Sequence, residues 1–191
     1  MTRTNTISRL LHDVGAAAWF GGSLAGAVAL NGAAGDVKNP AERTQVAVNG
    51  WARWAPVSAA AIGAHLLGGL GIILDNRGRI QGQHGVTAGT IVKSAVTVAA
   101  MGTTAYSGVL GARLATANAA HTDSATEPSS KTPDDVAAIQ QQLRVLQWVT
   151  PVLTAVVIGI GSLMGEQQRP AQVARGAVKK VADKVLDTVR N

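Results

Sequence analysis

Residues 14–34 read VGAAAWFGGSLAGAVALNGAA, a run in which no side chain is charged. Ser23 and Asn31 are its only clearly polar members. At about 1.5 Å of rise per residue, a helix over this run covers the roughly 30 Å hydrocarbon core of a bilayer. The run therefore predicts a transmembrane helix. A cleaved signal peptide is the alternative, because basic residues precede the run and small residues end it.

Three further runs, at residues 55–74, 94–112 and 145–165, are also free of charged side chains and close to spanning length. Ala and Gly are abundant in all of them, which suits the close approach of helices in lipid. The predicted fold class is therefore all-α, a four-transmembrane-helix bundle. Residues 1–169 form one membrane domain in this prediction, and the lipid bilayer is its first partner.

The composition excludes several kinds of chemistry. The chain contains no cysteine, which rules out disulfides, thiolate metal sites and thiol nucleophiles. The net charge is +6, but Lys and Arg cluster between the apolar runs and in residues 170–191. Anionic lipid headgroups are the expected counter-charge at those places, so no nucleic acid is predicted as a partner.

Orientation follows from where the basic residues lie. The N-terminal segment, the loop between the second and third runs, and the C-terminal tail hold most of the 17 Lys and Arg residues. The positive-inside rule therefore predicts a multi-pass protein of the plasma membrane with both termini in the cytoplasm.

Two segments outside the runs carry their own predictions. Residues 116–135 are rich in Ala, Thr, Ser, Asp and Pro, which indicates a mobile connector. In residues 170–191, valines recur at helical spacing among basic residues, which predicts an amphipathic helix on a membrane or partner surface. A solvated, partly frayed tail is the alternative.

Five ionisable residues fall at the predicted cytoplasmic ends of the four runs: His12, Asp13, Asp75, Lys93 and Glu166. One hypothesis is a polar ring that forms an entrance for a proton, an ion or a ligand. The other is ordinary interfacial anchoring, because charged side chains commonly extend from span ends into the headgroup region.

His65 differs from these five, because it lies ten residues before Asp75 and so about 15 Å deeper along a helix. An ionisable residue near the bilayer midplane indicates a functional site, with haem ligation, copper binding and proton transfer as candidates. The alternative is a neutral histidine hydrogen-bonded to a hydroxyl of the third helix. A metal site shared with His12 is disfavoured by the predicted difference in depth.

The stretch Leu11–Gly22, LHDVGAAAWFGG, resembles the first helix of the copper-resistance D-like and related small four-helix bacterial membrane families. Val92-Lys93-Ser94-Ala95 similarly resembles their lysine-initiated third helix. The resemblance implies a role related to copper transport, with His12 as the matched metal ligand. This chain departs from methionine-rich copper ligand sets, since its three methionines are scattered at Met1, Met101 and Met164.

No catalytic motif is present in the sequence, so no enzymatic activity is predicted. The leading hypothesis is an integral membrane protein of non-enzymatic type that serves as an accessory or assembly subunit of a larger membrane complex. The alternative is a small cofactor-, metal- or ion-handling membrane protein built around His65. No resident cofactor is assigned, and haem and copper remain the candidates.

Overall fold

The computed structural model describes residues 3–82, 84–117 and 120–166, and most of these residues are helical. Helix α1 (Arg3–Ala25) continues through a π-helical turn (Gly26–Leu30) into the short helix α2 (Asn31–Gly35). Three long helices follow: α3 (Arg43–Gly82), α4 (His84–Thr116) and α5 (Asp134–Glu166). The predicted amphipathic helix of residues 170–191 lies outside the described residues.

Four stretches of helix are long and apolar enough to cross a membrane, at Thr6–Gly35, Arg43–Asp75, Ala88–Thr116 and Asp134–Gly165. This confirms the prediction of a four-helix bundle. Each stretch is longer than the apolar run that predicted it. The reason is that a helix continues wherever its backbone hydrogen bonds can form, so it runs on through polar residues that hydropathy excludes.

The distribution of side chains is the reverse of that in a water-soluble protein, with large apolar residues outside and many polar residues inside. Large apolar residues point away from the bundle, with Leu67 and Leu163 each 66% exposed. The buried positions instead hold many alanines and polar residues, including His65 and Gln140. So much exposed apolar surface would cause association in water, whereas acyl chains solvate it. The distribution of side chains and the four apolar helices are therefore compatible with an integral membrane protein.

The helices form a closed ring in which α1 contacts α3, α3 contacts α4, α4 contacts α5, and α5 contacts α1. We call the end where α1 begins and α5 finishes the terminal end of the bundle. The opposite end, where residues 36–42 and 117–133 join the helices, is the connector end.

The segment predicted to be a mobile connector is instead folded onto the connector end. The Arg43 guanidinium donates to the carbonyl oxygens of Thr122 and Asp123, both at 3.1 Å. From α5, the Gln140 amide donates to the carbonyl oxygen of Ser124 at 3.0 Å. Side chains from two helices therefore bind the backbone of this segment, and composition alone does not reveal such partners.

Candidate functional site

Helices α1 and α3 cross through a motif that occurs once in each helix, His12-x-x-Gly15 and His65-x-x-Gly68. Each glycine packs against the backbone of the opposite histidine. A Cβ atom on Gly15 would lie 2.6 Å from the backbone nitrogen of His65, and one on Gly68 would lie 2.9 Å from the Cα atom of His12. The two copies are therefore related by a local two-fold arrangement, and only glycine allows the helices to approach so closely.

The two histidines bond to each other's helix. His12 Nδ1 donates to the carbonyl oxygen of His65 at 2.8 Å, and His65 Nδ1 donates to the carbonyl oxygen of His12 at 2.9 Å. The rings stack with centroids 3.9 Å apart. Because a carbonyl oxygen only accepts, both Nδ1 atoms carry a proton, and Nε2 is the acceptor of each neutral ring.

Lys93 brings α4 into the same cluster. Its Nζ atom lies 2.7 Å from His12 Nε2, so the ammonium donates and the imidazole nitrogen accepts. Both nitrogens of His12 are thereby engaged. Within the part of the chain that the structure describes, no carboxylate lies within 4.0 Å of Lys93 as an ion-pair partner.

His65 lies deeper in the packing and is only 2% exposed. Its ring meets Trp19 edge-on, with centroids 6.4 Å apart. The predicted alternative of a hydrogen bond to a hydroxyl of the third helix is wrong, because the ring donates to the backbone of α1 instead.

The predicted difference in depth between His12 and His65 is also wrong, because stacked rings place the two side chains at one level. The error has a physical origin. His12 was placed at the end of an apolar run, but α1 begins at Arg3, so His12 lies well inside a helix. The limits of an apolar run therefore do not measure the depth of a residue.

A cavity of about 760 Å³ opens beside this cluster in the terminal half of the bundle. Arg9, Asp13 and Lys93 supply its charged wall, and its polar wall includes His12, Ser94 and Thr97. Most of the remaining wall is apolar and includes Leu70, Ile73, Val98, Met101, Val157 and Ile158. A mostly apolar cavity of this size with a few convergent polar groups has the character of a small-molecule site.

The predicted polar ring is only partly assembled at this cavity. His12, Asp13 and Lys93 line it, whereas Asp75 does not. The side chain of Glu166 lies outside the described part of the chain. Arg9, which was not singled out as a site residue, joins the cavity wall from one turn before His12.

The cluster does not fit a copper ion at His12. A metal needs an imidazole lone pair, and the Lys93 ammonium holds the one on His12 while adding a positive charge beside it. The described residues include no group of three or more His, Cys, Asp or Glu arranged to hold a metal. His12 is therefore not suited to bind copper in this arrangement, and haem ligation by His65 stays a prediction.

A second cavity of about 480 Å³ lies in the connector half, lined by Trp19, Trp51, Trp54 and residues of all the long helices. Asn31, which directly follows the π-helical turn, joins α3 and α5 in the wall of this cavity. The Asn31 amide donates to Gln147 at 2.9 Å, and its oxygen accepts from the Trp51 indole at 2.9 Å. The sequence shows Asn31 only as a polar residue in an apolar run, so its two partners were not foreseen.

Comparisons with protein-family models, with curated proteins and with solved structures found no match to this chain. The resemblance to the copper-resistance D-like families therefore stays a prediction.

Proposed function

We propose that this chain is a non-enzymatic membrane protein that binds a small organic anion with an apolar tail in the terminal cavity. The Lys93 ammonium is the counter-charge for that anion. The observation that carries the proposal is the position of Lys93, which faces the cavity with a neutral imidazole as its hydrogen-bond partner and no described carboxylate within 4.0 Å.

Burying an ammonium away from water costs free energy unless an opposite charge or several acceptors compensate. Lys93 has three N–H donors, and His12 accepts from one of them. Asp13 interacts electrostatically with Lys93 but does not contact it within 4.0 Å, and an anionic head group would supply a directly bonded opposite charge with further acceptors. The cavity wall also holds Arg9 and Asp13, whose opposite charges offset each other and leave Lys93 as the excess cation.

The apolar part of the cavity wall determines which kind of tail the ligand carries. Branched aliphatic side chains and Met101 form a large part of the cavity wall, and such a surface gains free energy when it covers apolar groups. A purely inorganic anion would leave this wall uncovered. An amphiphilic organic anion matches both parts of the cavity.

The histidines support a binding role over catalysis. Each uses its Nδ1 proton to hold the neighbouring helix, and His12 uses Nε2 to orient Lys93. These bonds fix the side chains in place and give the ligand a preorganised cation. The accessory-subunit hypothesis stays a prediction that rests on the apolar outer surface, and no contact among the described residues favours it.

Binding of decane-1-sulfonate to the protein in phosphatidylcholine nanodiscs tests this proposal. The probe is permanently ionised and carries an unbranched apolar tail. We expect saturable binding that Lys93→Gln weakens about 10- to 100-fold, since a charge-assisted hydrogen bond contributes about 1.5–3 kcal/mol. Lys131→Gln, an exposed lysine of the connector, should bind like the parent chain.

Decyltrimethylammonium, a cation with the same tail, is the matched ligand control and should not bind at this site. Equal binding by the Lys93→Gln and parent proteins would contradict the proposal, as would a preference for the cation over the sulfonate.

A further inference from the structure

The two cavities lie one after the other along the axis of the bundle. Both are lined by residues of α1, α3, α4 and α5. The larger one faces the terminal end and the smaller one faces the connector end. In a protein that crosses a bilayer, these ends belong to opposite sides of the membrane.

A cluster of buried apolar side chains lies between the residues that line the two cavities, at the level of the buried Thr154 hydroxyl. Its buried members are Trp19, Ala61 and Ala100, with 2%, 7% and 0% exposure. Met101 and Leu153 pack against them. Trp19 lines the connector cavity, and Met101 lines the terminal cavity. The barrier is therefore about one side-chain layer thick.

Trp19 supplies most of the bulk in this layer, because its buried neighbours Ala61 and Ala100 are small. The indole is held by one polar contact, from Nε1 to Thr104 Oγ1 at 3.1 Å. Thr104 in turn donates to the carbonyl oxygen of Ala100 at 2.9 Å. A change of rotamer at Trp19 would thus break one side-chain hydrogen bond and remove the largest obstacle between the cavities.

We infer that the bundle is a gated transmembrane path and that Trp19 is its gate, closed in this structure. Hydrophobic constrictions of this kind block passage by excluding water. The identity of the solute rests on the proposed function: the solute is the organic anion that Lys93 binds. Along α4, Lys93 lies about two helical turns before Ala100 of the gate layer. The gate itself is argued from the cavities and the Trp19 layer alone.

The absence of native cysteine allows a direct accessibility test. Ser94→Cys places a thiol in the terminal cavity, and Ser107→Cys places one in the connector cavity. Sealed vesicles of both orientations are treated with 2-sulfonatoethyl methanethiosulfonate, which is anionic and does not cross lipid. We expect each cysteine to react from one side only, and the two cysteines from opposite sides.

Adding Trp19→Ala to each cysteine variant should make the thiol reactive from both sides. Trp148→Ala is the matched control, because this tryptophan of α5 is 49% exposed on the outside of the bundle. Thr104→Val keeps the indole of Trp19 and removes the hydroxyl that accepts its hydrogen bond. It therefore tests the gate without creating the empty space that Trp19→Ala leaves in the core. We expect it to speed modification from the far side about tenfold, equivalent to about 1.4 kcal/mol.

The inference is overturned if both cysteines react from the same side in the presence of Trp19, or if neither reacts from any side. It is also overturned if Trp19→Ala and Thr104→Val leave far-side modification unchanged. These readouts do not use decane-1-sulfonate. Failure of sulfonate binding would therefore remove the proposed solute, whereas failure of the accessibility pattern would remove the path.

Discussion

At the scale of single residues, the site depends on glycines as much as on histidines. The reciprocal bonds between His12 and His65 form only because Gly15 and Gly68 let the two backbones touch. The repeated His-x-x-Gly spacing is visible in the sequence. Its meaning is not, because a chain rich in Gly and Ala contains many such spacings, and only the crossing of the helices selects this pair.

Gly15→Ala and Gly68→Ala should each destabilise the bundle, because the added methyl group overlaps the backbone of the partner helix. We expect a loss of about 1–3 kcal/mol in the free energy of unfolding, as for other overpacked positions. Thermal unfolding in mild detergent, followed by circular dichroism, measures the effect.

Gly63→Ala is the control for these variants, because a Cβ atom there meets nothing within 4 Å. It should be neutral or slightly stabilising, since Ala favours a helix over Gly. Equal stability of the Gly15→Ala and Gly63→Ala proteins would show that the helices do not cross as described.

At the scale of helices, hydropathy predicts the number of spans and not their ends or neighbours. Residues 14–34 were predicted as one regular helix, and they instead contain a π-helical turn at Gly26–Leu30. π-Helical turns often occur at functional sites, and this one directly precedes the buried Asn31. No pattern of apolar residues signals this turn, which contacts both α3 and α5 in the bundle.

Asn31→Ala should destabilise the connector half, because it leaves the Trp51 indole and the Gln147 oxygen without their partner. A buried polar group that loses its hydrogen bond costs about 1–3 kcal/mol. The fluorescence of the connector-cavity tryptophans during denaturation reports this change.

Asn49→Ala removes an exposed asparagine of α3 whose side chain bonds only Gln45 among the described residues, and it should have little effect. If both asparagine variants unfold alike, the link between helices through Asn31 is not a source of stability.

At the scale of the whole molecule, the sequence predicts the fold class and the surrounding lipid better than it predicts the arrangement of the candidate site. Charge-free runs were sufficient to predict an all-α membrane bundle. The cavity, the opposed histidines and the lysine beside them depend on how four helices close into a ring, and one sequence carries little information on that. The cytoplasmic location of both termini stays a prediction from the basic residues.

The abundance of small residues accounts for the cavities inside the bundle. Glycine brings helix backbones together at the crossing of Gly15 and Gly68, whereas small side chains such as those of Gly108 and Ala112 leave space in the cavity wall. The two cavities described above lie one in each half, with Trp19 at the level between them. A bundle packed with Leu and Phe throughout would have neither cavity.

The most direct test of the central claim is nitrogen NMR of the Lys93 side chain in phosphatidylcholine nanodiscs during titration with decane-1-sulfonate. The signal is assigned by its loss in Lys93→Gln. The Lys93 Nζ resonance should shift saturably with the bound fraction, while that of Lys131 stays in place. Saturable binding that leaves Lys93 unshifted would contradict the assignment of Lys93 as the counter-charge.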